Sequence, residues 1–328
     1  MFDAGVAHPV ERHLAKVEVA SSSLVTRSIK QTPRGVCFFI VIHRRQLMII
    51  DFHTHTFPDK IAARAIEGMQ QKSHAAAFAR GTVSDLTQSM AASSVDLSVV
   101  LPVATNPAKL VSVNDVSIAM NGKQGLVYFG AMHPMAENWK EELTRLHATG
   151  IQGIKLHPFY QGVDVNDVRT LRILGKAAEL GMIVVIHAGN EIAYPGQVRC
   201  SPEMAADALR QVGGENPVVL AHMGGWKNWD RVLDNLADSG CYMDTAISLG
   251  SIVPLDDGHY TDEELPLLTE AGFVKLVRGF GSERVLFGTD SPWACQKTEI
   301  QKIQRLSLTQ QEKDNLLGAN ARQILNLL

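Results

Sequence analysis

Residues 48–55 read MIIDFHTH, an apolar run that ends in an aspartate and two histidines. Seven further apolar runs follow at intervals long enough for a helix between each pair; they are VDLSVVLPVA (95–104), LVYFGAMHP (126–134), IQGIKLHP (151–158), MIVVIHAG (182–189), PVVLAHMGG (217–225), CYMDTAIS (241–248) and RVLFGTDSP (284–292). Continuous hydrophobicity rich in β-branched residues is typical of parallel strands that are buried on both faces. The chain from Met48 onward is therefore predicted to contribute eight strands to one parallel sheet.

Amphipathic segments lie between these runs, and two of them begin with a recognisable cap. Ser201 followed by Pro202 fits an N-cap and a first helical position. Thr309 and Glu312 have the spacing of a capping box. Eight strands that alternate with helices predict an α/β fold, a (β/α)8 TIM barrel, as a single domain over residues 48–328. A doubly wound sheet is the rival, but the chain offers it no Gly-rich phosphate-binding loop.

Residues 1–47 differ from the rest of the chain in charge and pattern. They contain seven Lys or Arg and three acidic residues, although the whole chain has a formal net charge of −3. No helical or strand period is sustained there, and residues 19–28 (VASSSLVTRS) resemble the translation of a transfer-RNA gene. We expect this segment to be disordered or to be a misassigned start, with Met48 as the true initiator. A genuine basic arm is the alternative.

Composition excludes several functional classes. Of the 328 residues, 45% are hydrophobic and 20% are charged, as in ordinary globular proteins. No apolar run approaches the ~18 residues of a membrane span, and no basic cluster indicates nucleic-acid binding. The four cysteines have no C-x-x-C spacing, which favours a reducing, cytoplasmic compartment. The expected partner is a small-molecule substrate, and the sequence is compatible with a homodimer.

Ligand-type side chains gather at the ends of the predicted strands. In TIM barrels these carboxyl ends form the active-site face, and here they carry His53, His55, His133, Lys155, His157, His187, His222, Asp244 and Asp290. Imidazole and carboxylate suit zinc and related divalent metals, and a catalytic site uses about three protein ligands and an open position. Any one histidine taken alone is better interpreted as an ordinary polar residue near a strand end. Together, four of these residues predict a metal site: His53, His55, His187 and Asp290.

The ordered set of motifs resembles the amidohydrolase superfamily. The H-x-H pair, a lysine on the fourth strand, VIHAG (185–189), LAHMGG (220–225) and FGTDSPW (287–293) are most similar to the amidohydrolase 2 family, which includes aminocarboxymuconate-semialdehyde-decarboxylase-like enzymes. The resemblance covers essentially residues 48–328. It implies a metal-dependent TIM-barrel catalytic domain in which the four residues named above bind the metal, and in which His222 acts in catalysis or orients the substrate.

Lys155 leaves two chemistries open. Some superfamily members carry a carboxylated lysine on this strand, which bridges two metal ions. The alternative is an ammonium that binds a substrate carboxylate or pairs with an acidic residue. We expect one divalent ion, Zn²⁺, and an unmodified Lys155, with a second ion bridged by carboxylated Lys155 as the alternative.

The remaining candidates have both a substrate-binding and a structural interpretation. His157, Arg199 and Trp293 are candidate substrate contacts. His133 and His157, each followed by proline, are also interpreted as structural, Arg199 as a solvated surface residue, and the tryptophan as packing. Asp244 is expected to orient His222 or a loop.

The expected reaction is hydrolysis of an amide, ester or lactone. Asp290 would take a proton from a metal-activated water and pass it to the leaving group, and His222 would hydrogen-bond the substrate oxygen that gains charge. The same residues support a non-oxidative decarboxylase, in which Asp290 protonates carbon. A nuclease on the same barrel would carry a glutamate in place of Lys155, and an inert metal-binding module would not need His222.

Overall fold

The computed structural model describes residues 48–213 and 216–327, together with the backbone of residues 24–31 and 37–43. Those two short segments form strands β1 (Leu24–Gln31) and β2 (Cys37–His43), which pair antiparallel. The rest of residues 1–47 lies outside the described residues. The expectation of a disordered or misassigned start therefore stays a prediction.

From Ile50 onward the strands are parallel and form one three-stranded and one six-stranded sheet, in each of which they neighbour one another in chain order. They are β3 (Ile50–Thr54), β4 (Leu97–Val100), β5 (Leu126–Tyr128), β6 (Gly130–Ala131), β7 (Gly153–Leu156), β8 (Ile183–Ile186), β9 (Val218–Leu220), β10 (Tyr242–Asp244) and β11 (Val285–Leu286). The third predicted run is thus split into β5 and β6. The amide of Phe129, between them, donates to the carbonyl of Val100 (3.0 Å) and keeps this run attached to β4.

Backbone hydrogen bonds also join the last strand to the first. The amide of Phe52 donates to Phe287 O (2.7 Å), and the amide of Asp290 donates to His53 O (2.8 Å). Thr54 and Ser291 form a further parallel bridge. The two ends of the sheet therefore meet, as a (β/α)8 barrel requires. The predicted TIM-barrel fold class is confirmed.

Helices follow the strands along the described chain. They are α1 (Asp59–Ser73), α2 (Val83–Ser93), α3 (Leu110–Met120), α4 (Trp139–Ala148), α5 (Pro158–Gln161), α6 (Val168–Glu179), α7 (Pro202–Val212), α8 (Val232–Leu236), α9 (Glu270–Phe280), α10 (Gln296–Arg305), α11 (Gln310–Asp314) and α12 (Asn320–Ile324), with a π-helical turn at Asn315–Ala319. The predicted caps are present: Ser201 Oγ accepts from the amide of Met204, and Thr309 with Glu312 forms a capping box. None of the helices in the described part of the chain has the length and hydrophobicity that crossing a bilayer requires.

Strand alternation sorts the side chains of β3 between two environments. Ile50 and Phe52 belong to an apolar cluster that also contains Ile324 and Leu325 at the end of the chain, so they face the helices. Their neighbours Asp51 and His53 point to the opposite side of the sheet, as alternation requires. The same register that buries the apolar residues therefore projects the polar ones into the barrel.

Candidate metal centre

Three ligand-type atoms converge at the joint between β3 and the segment after β11. His53 Nε2 lies 3.2 Å from His55 Nε2 and 3.4 Å from Asp290 Oδ1, and His55 Nε2 lies 3.0 Å from the same oxygen. The group is formed because the H-x-H spacing puts both rings on one side of the strand. The parallel bridge after β11 then brings Asp290 beside them. Two imidazoles and one carboxylate are thereby presented to a single point.

The hydrogen-bond partners of Nδ1 determine the tautomers of His53 and His55. His55 Nδ1 is 2.7 Å from the carbonyl of Leu101, which can only accept, so Nδ1 carries the hydrogen and Nε2 is left as a lone pair. His53 Nδ1 is 2.8 Å from Asp244 Oδ2, which imposes the same tautomer. Three lone-pair atoms therefore face one another, an arrangement that a cation resolves. The donor set and its outer hydrogen bonds fit a divalent metal ion.

The electrostatics favour the protonation states that metal ligands need. Burial, reinforced by the charge of Lys155, holds the pKa of His53 well below its ordinary value. Burial by itself would raise the pKa of Asp290, but positive charge on the adjacent His53 and His55 outweighs it and holds that pKa below its usual range. When both rings are neutral, a bound cation would take over this role. A neutral imidazole and an ionised carboxylate are the forms that bind a metal.

Lys155 reaches the same point from β7. Its Nζ lies 3.3 Å from His53 Nε2, and the side chain is buried. Burial lowers the pKa of Lys155 to about 8, against the opposing attraction of Asp244 and Asp290. An amine with a pKa this close to neutrality exists in both forms near physiological pH. Both chemistries expected for Lys155 therefore remain available to it.

His187 and His222 form a second pair of nitrogens next to this group. His222 Nδ1 donates to Ala246 O (2.9 Å), so its Nε2 is a lone pair, and this atom lies 3.1 Å from His187 Nδ1. The other nitrogen of His187, Nε2, is 3.0 Å from Asn190 O. The three-residue ligand group around Asp290 does not include His187, which was expected to be its fourth ligand. The rings of His53 and His222, with centroids 5.2 Å apart, connect the two sets.

Glu191 is a buried carboxylate that the sequence analysis did not single out. Its Oε2 lies 3.3 Å from His187 Nε2 and 3.4 Å from His157 Nε2, so it lies against the distal nitrogens of both rings. His157 stacks on His187 with ring centroids 4.2 Å apart and is itself covered by Tyr160 at 3.9 Å. The only sequence signal for Glu191 is its place just beyond the VIHAG strand end, which is common to many loop residues.

Asp244 hydrogen-bonds to the ring of His53 and to the backbone amide of His222. Its Oδ1 accepts from the amides of His222 (3.0 Å) and Ala246 (3.1 Å), while Oδ2 holds His53 Nδ1. The expected orienting role is therefore directed mainly at His53. Asp244 also anchors the chain just after β9, where His222 and Met223 both adopt positive φ angles.

The other predicted contacts divide between the cavity and the rest of the barrel. Trp293 and His157 line the cavity above the metal centre, as do Lys155 and His222. Arg199 does not; its guanidinium pairs with Asp164 at 3.0 Å, so the expected substrate contact lacks support from the cavity lining. His133 is also outside the lining, and its Nδ1 accepts from the amide of Met135.

One cavity of about 1300 Å³ contains the whole centre. His53, His55 and Asp290 contribute to its lining together with the His187–His222 pair, and side chains of α1 and α3 form other parts of the wall. A substrate can therefore reach both sets of nitrogens from the same space.

Comparison with known proteins agrees with this arrangement. The family model described as amidohydrolase (Amidohydro_2) matches residues 50–327. Similar solved structures include an uncharacterized TIM-barrel protein, Bb4693 from Bordetella bronchiseptica (TM-score 0.66, 17% identity, 85% of this chain and 99% of that one). Another is 2,6-dihydroxybenzoate decarboxylase from Rhizobium (TM-score 0.58, 14% identity, 86% and 99%). A third is a dihydroxybenzoic acid decarboxylase from Polaromonas sp. JS666 with bound manganese and the inhibitor 2-nitroresorcinol (TM-score 0.59, 12% identity, 86% and 98%).

No curated protein shows significant sequence similarity to the chain. At identities below one fifth, the solved structures establish the shared barrel and leave the reaction open. The family match is stronger, because it extends from the first barrel strand to the last helix and includes the H-x-H pair, both later histidines and Asp290. The chain therefore belongs to the amidohydrolase 2 family of TIM-barrel proteins.

Proposed function

We propose that the protein is a metal-dependent hydrolase that cleaves an amide, ester or lactone bond of a small carboxylated molecule. The observation that carries this proposal is the convergence of His53 Nε2, His55 Nε2 and ionised Asp290 at one point of a large cavity. A divalent ion bound there would supply Lewis-acid activation of water and of the substrate oxygen. The cytoplasm is the proposed compartment, since Cys200, Cys241 and Cys295 are free thiols.

Asp290 is the proposed proton carrier. Because a bound cation would keep its carboxylate ionised, its first step is to accept a proton, in this case from the attacking water. It then delivers that proton to the leaving group. A carboxylate that starts the cycle as a base matches hydrolysis better than a reaction that begins by protonating carbon.

His222 and Lys155 are proposed to contact the substrate. In the tautomer set by Ala246 O, the neutral ring of His222 has no hydrogen on Nε2, so it donates to a substrate oxygen only as an imidazolium. Lys155 as an ammonium would hold a carboxylate, since its buried position strengthens the attraction. His222 would thus stabilise developing negative charge and Lys155 would fix the substrate.

Zinc is the proposed ion, since two imidazoles and a carboxylate are typical ligands of catalytic zinc. Manganese is the alternative, because the similar decarboxylase from Polaromonas contains it. We propose one ion at His53, His55 and Asp290, with Lys155 unmodified. His187 either approaches this ion as its fourth ligand or, with His222, forms a separate position for a second ion.

Non-oxidative decarboxylation is the second candidate. It is favoured by a buried Lys155 that can hold a carboxylate in a largely apolar cavity, where desolvation weakens the bond to carbon dioxide. Two of the similar solved structures are decarboxylases of dihydroxybenzoates. In this reaction Asp290 would have to acquire a proton before it acts.

The distinguishing experiment uses protein loaded with Zn²⁺ or Mn²⁺ and two panels of substrates. Amides, esters and lactones are followed by acid release, and aromatic and unsaturated carboxylates by CO₂ release. We expect acid release that depends on metal and is lost in Asp290→Asn, while Asp262→Asn, at an exposed position outside the cavity, behaves as wild type. CO₂ release alone would replace the hydrolase with the decarboxylase. Turnover without metal would remove both.

Metal analysis with native mass spectrometry tests the number of ions and the state of Lys155. One ion per chain and no added mass is the expected result. Two ions, together with a CO₂-sized increment that disappears in Lys155→Ala, would establish the bridged alternative instead.

A further inference from the structure

The polar and apolar parts of the cavity lining come from different elements. The strand ends supply the ionisable groups of the metal centre. The wall contributed by α1 is apolar, with Ile61, Ala65 and Met69 at intervals of four residues, and α3 adds Val113, Val116 and Met120. Residues three or four apart share a helix face, so α1 presents an apolar stripe to the cavity, and α3 presents one that also carries the hydroxyls of Ser112 and Ser117.

Charged side chains elsewhere in the described lining are few. Glu299 and Lys302 pair with each other at 2.7 Å, and Lys302 also donates to Leu249 O at 3.0 Å. Asp59 lies at the exposed start of α1. Uncharged hydroxyls also line the cavity, among them those of Ser112 and Ser117 on α3 and of Tyr128 on β5. Away from the metal centre, then, the wall is suited to hydrocarbon.

Large apolar side chains of the lining are also exposed to solvent. Their exposed fractions are 51% for Ile61, 60% for Phe78, 43% for Val116 and 63% for Val253. They come from separate segments: α1, the loop after it, α3 and the loop between β10 and α9. Each exposed apolar side chain costs free energy in water, and a cluster of them commonly marks a binding surface.

Size supports the same conclusion. Pockets for drug-sized ligands measure roughly 300–1,000 Å³, whereas this cavity measures about 1300 Å³. A small acid at the metal centre would leave most of the apolar wall in contact with water. A substrate with an extended apolar part would cover that wall while its reacting bond remained at the centre.

We infer that the substrate is amphipathic: an amide or ester whose polar end lies at His53, His55 and Asp290, and whose long alkyl or aryl chain lies along the α1 and α3 stripes. This inference rests on the proposed function for the bond that is cleaved. The occupant is assigned as a substrate chain because the apolar wall and the metal centre belong to one continuous cavity.

The test measures binding of straight-chain carboxylates, from acetate to dodecanoate, to metal-loaded protein by calorimetry. Each methylene that enters the apolar wall should tighten binding by up to about fourfold. Ala65→Trp in α1 places a large side chain in the cavity beside the apolar wall. The affinity should therefore stop rising with chain length several carbons earlier than in the wild type, while acetate should bind as before. Ala63→Trp is the matched control, because position 63 is exposed, outside the lining and about 200° around the helix from position 65.

A second pair on α3 protects the test against a local folding defect. Val113→Trp should shorten the permitted chain, and Val111→Trp, at an exposed position outside the lining, should not. Affinity independent of chain length in the wild type would overturn the inference, as would equal effects of the paired variants. Light scattering provides a further test. If the wild type is a dimer, and Phe78→Asp dissociates it without changing the affinity for carboxylates, a second copy of the chain covers the exposed apolar residues and the inference is wrong.

Binding and turnover separate this inference from the proposed function. Hydrolysis of short substrates without any length-dependent binding would retain the function and remove the amphipathic substrate. If binding depends on chain length but the matching esters or amides are not hydrolysed, the apolar binding wall is supported and the proposed hydrolase function is wrong.

Discussion

Replacing Asp244 by asparagine removes a charge and almost no volume, and its effect should be on metal binding. Oδ1 of Asp244 accepts two backbone N–H groups, from His222 and Ala246, while Oδ2 accepts Nδ1–H of His53. An asparagine must keep its single oxygen towards the two backbone donors, which turns its NH₂ group towards His53. His53 Nδ1 then has to accept, so the ring hydrogen moves to Nε2, the atom that faces Asp290.

The magnitude follows from that exchange of tautomers. Loss of the outer hydrogen-bond partner of a ligating histidine typically weakens metal binding by about 10- to 100-fold, which is about 1.4 to 2.8 kcal/mol. The upper part of this range is expected, since the variant reverses the tautomer as well as removing the charge. The metal-free fold keeps this hydrogen bond in reversed direction, and the His53 Nε2 hydrogen then faces Asp290, so its free energy of unfolding should change by no more than about 1.5 kcal/mol.

Competition with a chromophoric chelator measures the affinity, and urea unfolding of the metal-free protein measures stability. Asp51→Asn is the control for stability. Asp51 is also buried on β3 but bonds Thr289 (2.6 Å), Gln296 (2.8 Å) and backbone amides rather than an imidazole. It should therefore destabilise the fold and leave metal affinity within about threefold of wild type. Wild-type affinity in Asp244→Asn would refute the assignment of His53 Nε2 as a metal ligand held by Asp244.

Three further predictions concern other parts of the chain. His222→Asn should keep the fold and the metal but lower turnover by roughly two to three orders of magnitude; loss of metal in this variant would make His222 a ligand. A chain that begins at Met48 should have the thermal midpoint and activity of the full chain, and a drop of more than a few degrees would show that residues 1–47 stabilise the barrel. Burial lowers the pKa of His133, so the unfolded chain binds a proton that the folded chain does not. The free energy of unfolding should therefore decrease as the pH is lowered through about 6.5. Urea unfolding at pH 5 and 7 should show a smaller decrease in His133→Asn than in the wild type or in the control His147→Asn, at an exposed position.

The barrel was predictable because its strands are buried on both faces. Runs such as MIVVIHAG are continuously apolar and too short for a buried helix, so their pattern had one plausible structural interpretation. The split of the third run was not predictable from the same pattern. The break falls at Phe129, which is itself apolar and fully buried, so hydrophobicity does not mark it.

The candidate site was predictable to the extent that strand geometry determines it. Alternation alone puts His53 and His55 on one side of β3, and the barrel brings Asp290 to them. The loops were beyond such reasoning. Arg199 and Glu191 are both charged residues after β8, yet one pairs with Asp164 outside the cavity lining and the other lies against two buried imidazoles. Loop conformation decides between these outcomes, and no period in the sequence encodes it.

Either a proton or a metal ion must lie between the facing nitrogens of His187 and His222. Ala246 O and Asn190 O hold one hydrogen on each ring, which leaves His222 Nε2 and His187 Nδ1 as facing lone pairs 3.1 Å apart. Two facing lone pairs repel, so the arrangement requires either a shared proton or a cation between them. A shared proton makes one ring an imidazolium, which Glu191 at 3.3 Å from His187 would balance and which could donate to a substrate oxygen. A cation would make His222 a ligand and deprive it of that donor role. A single ion that His187 does not bind therefore leaves the pair to share a proton, whereas a cation between the two rings makes the pair a metal-binding site.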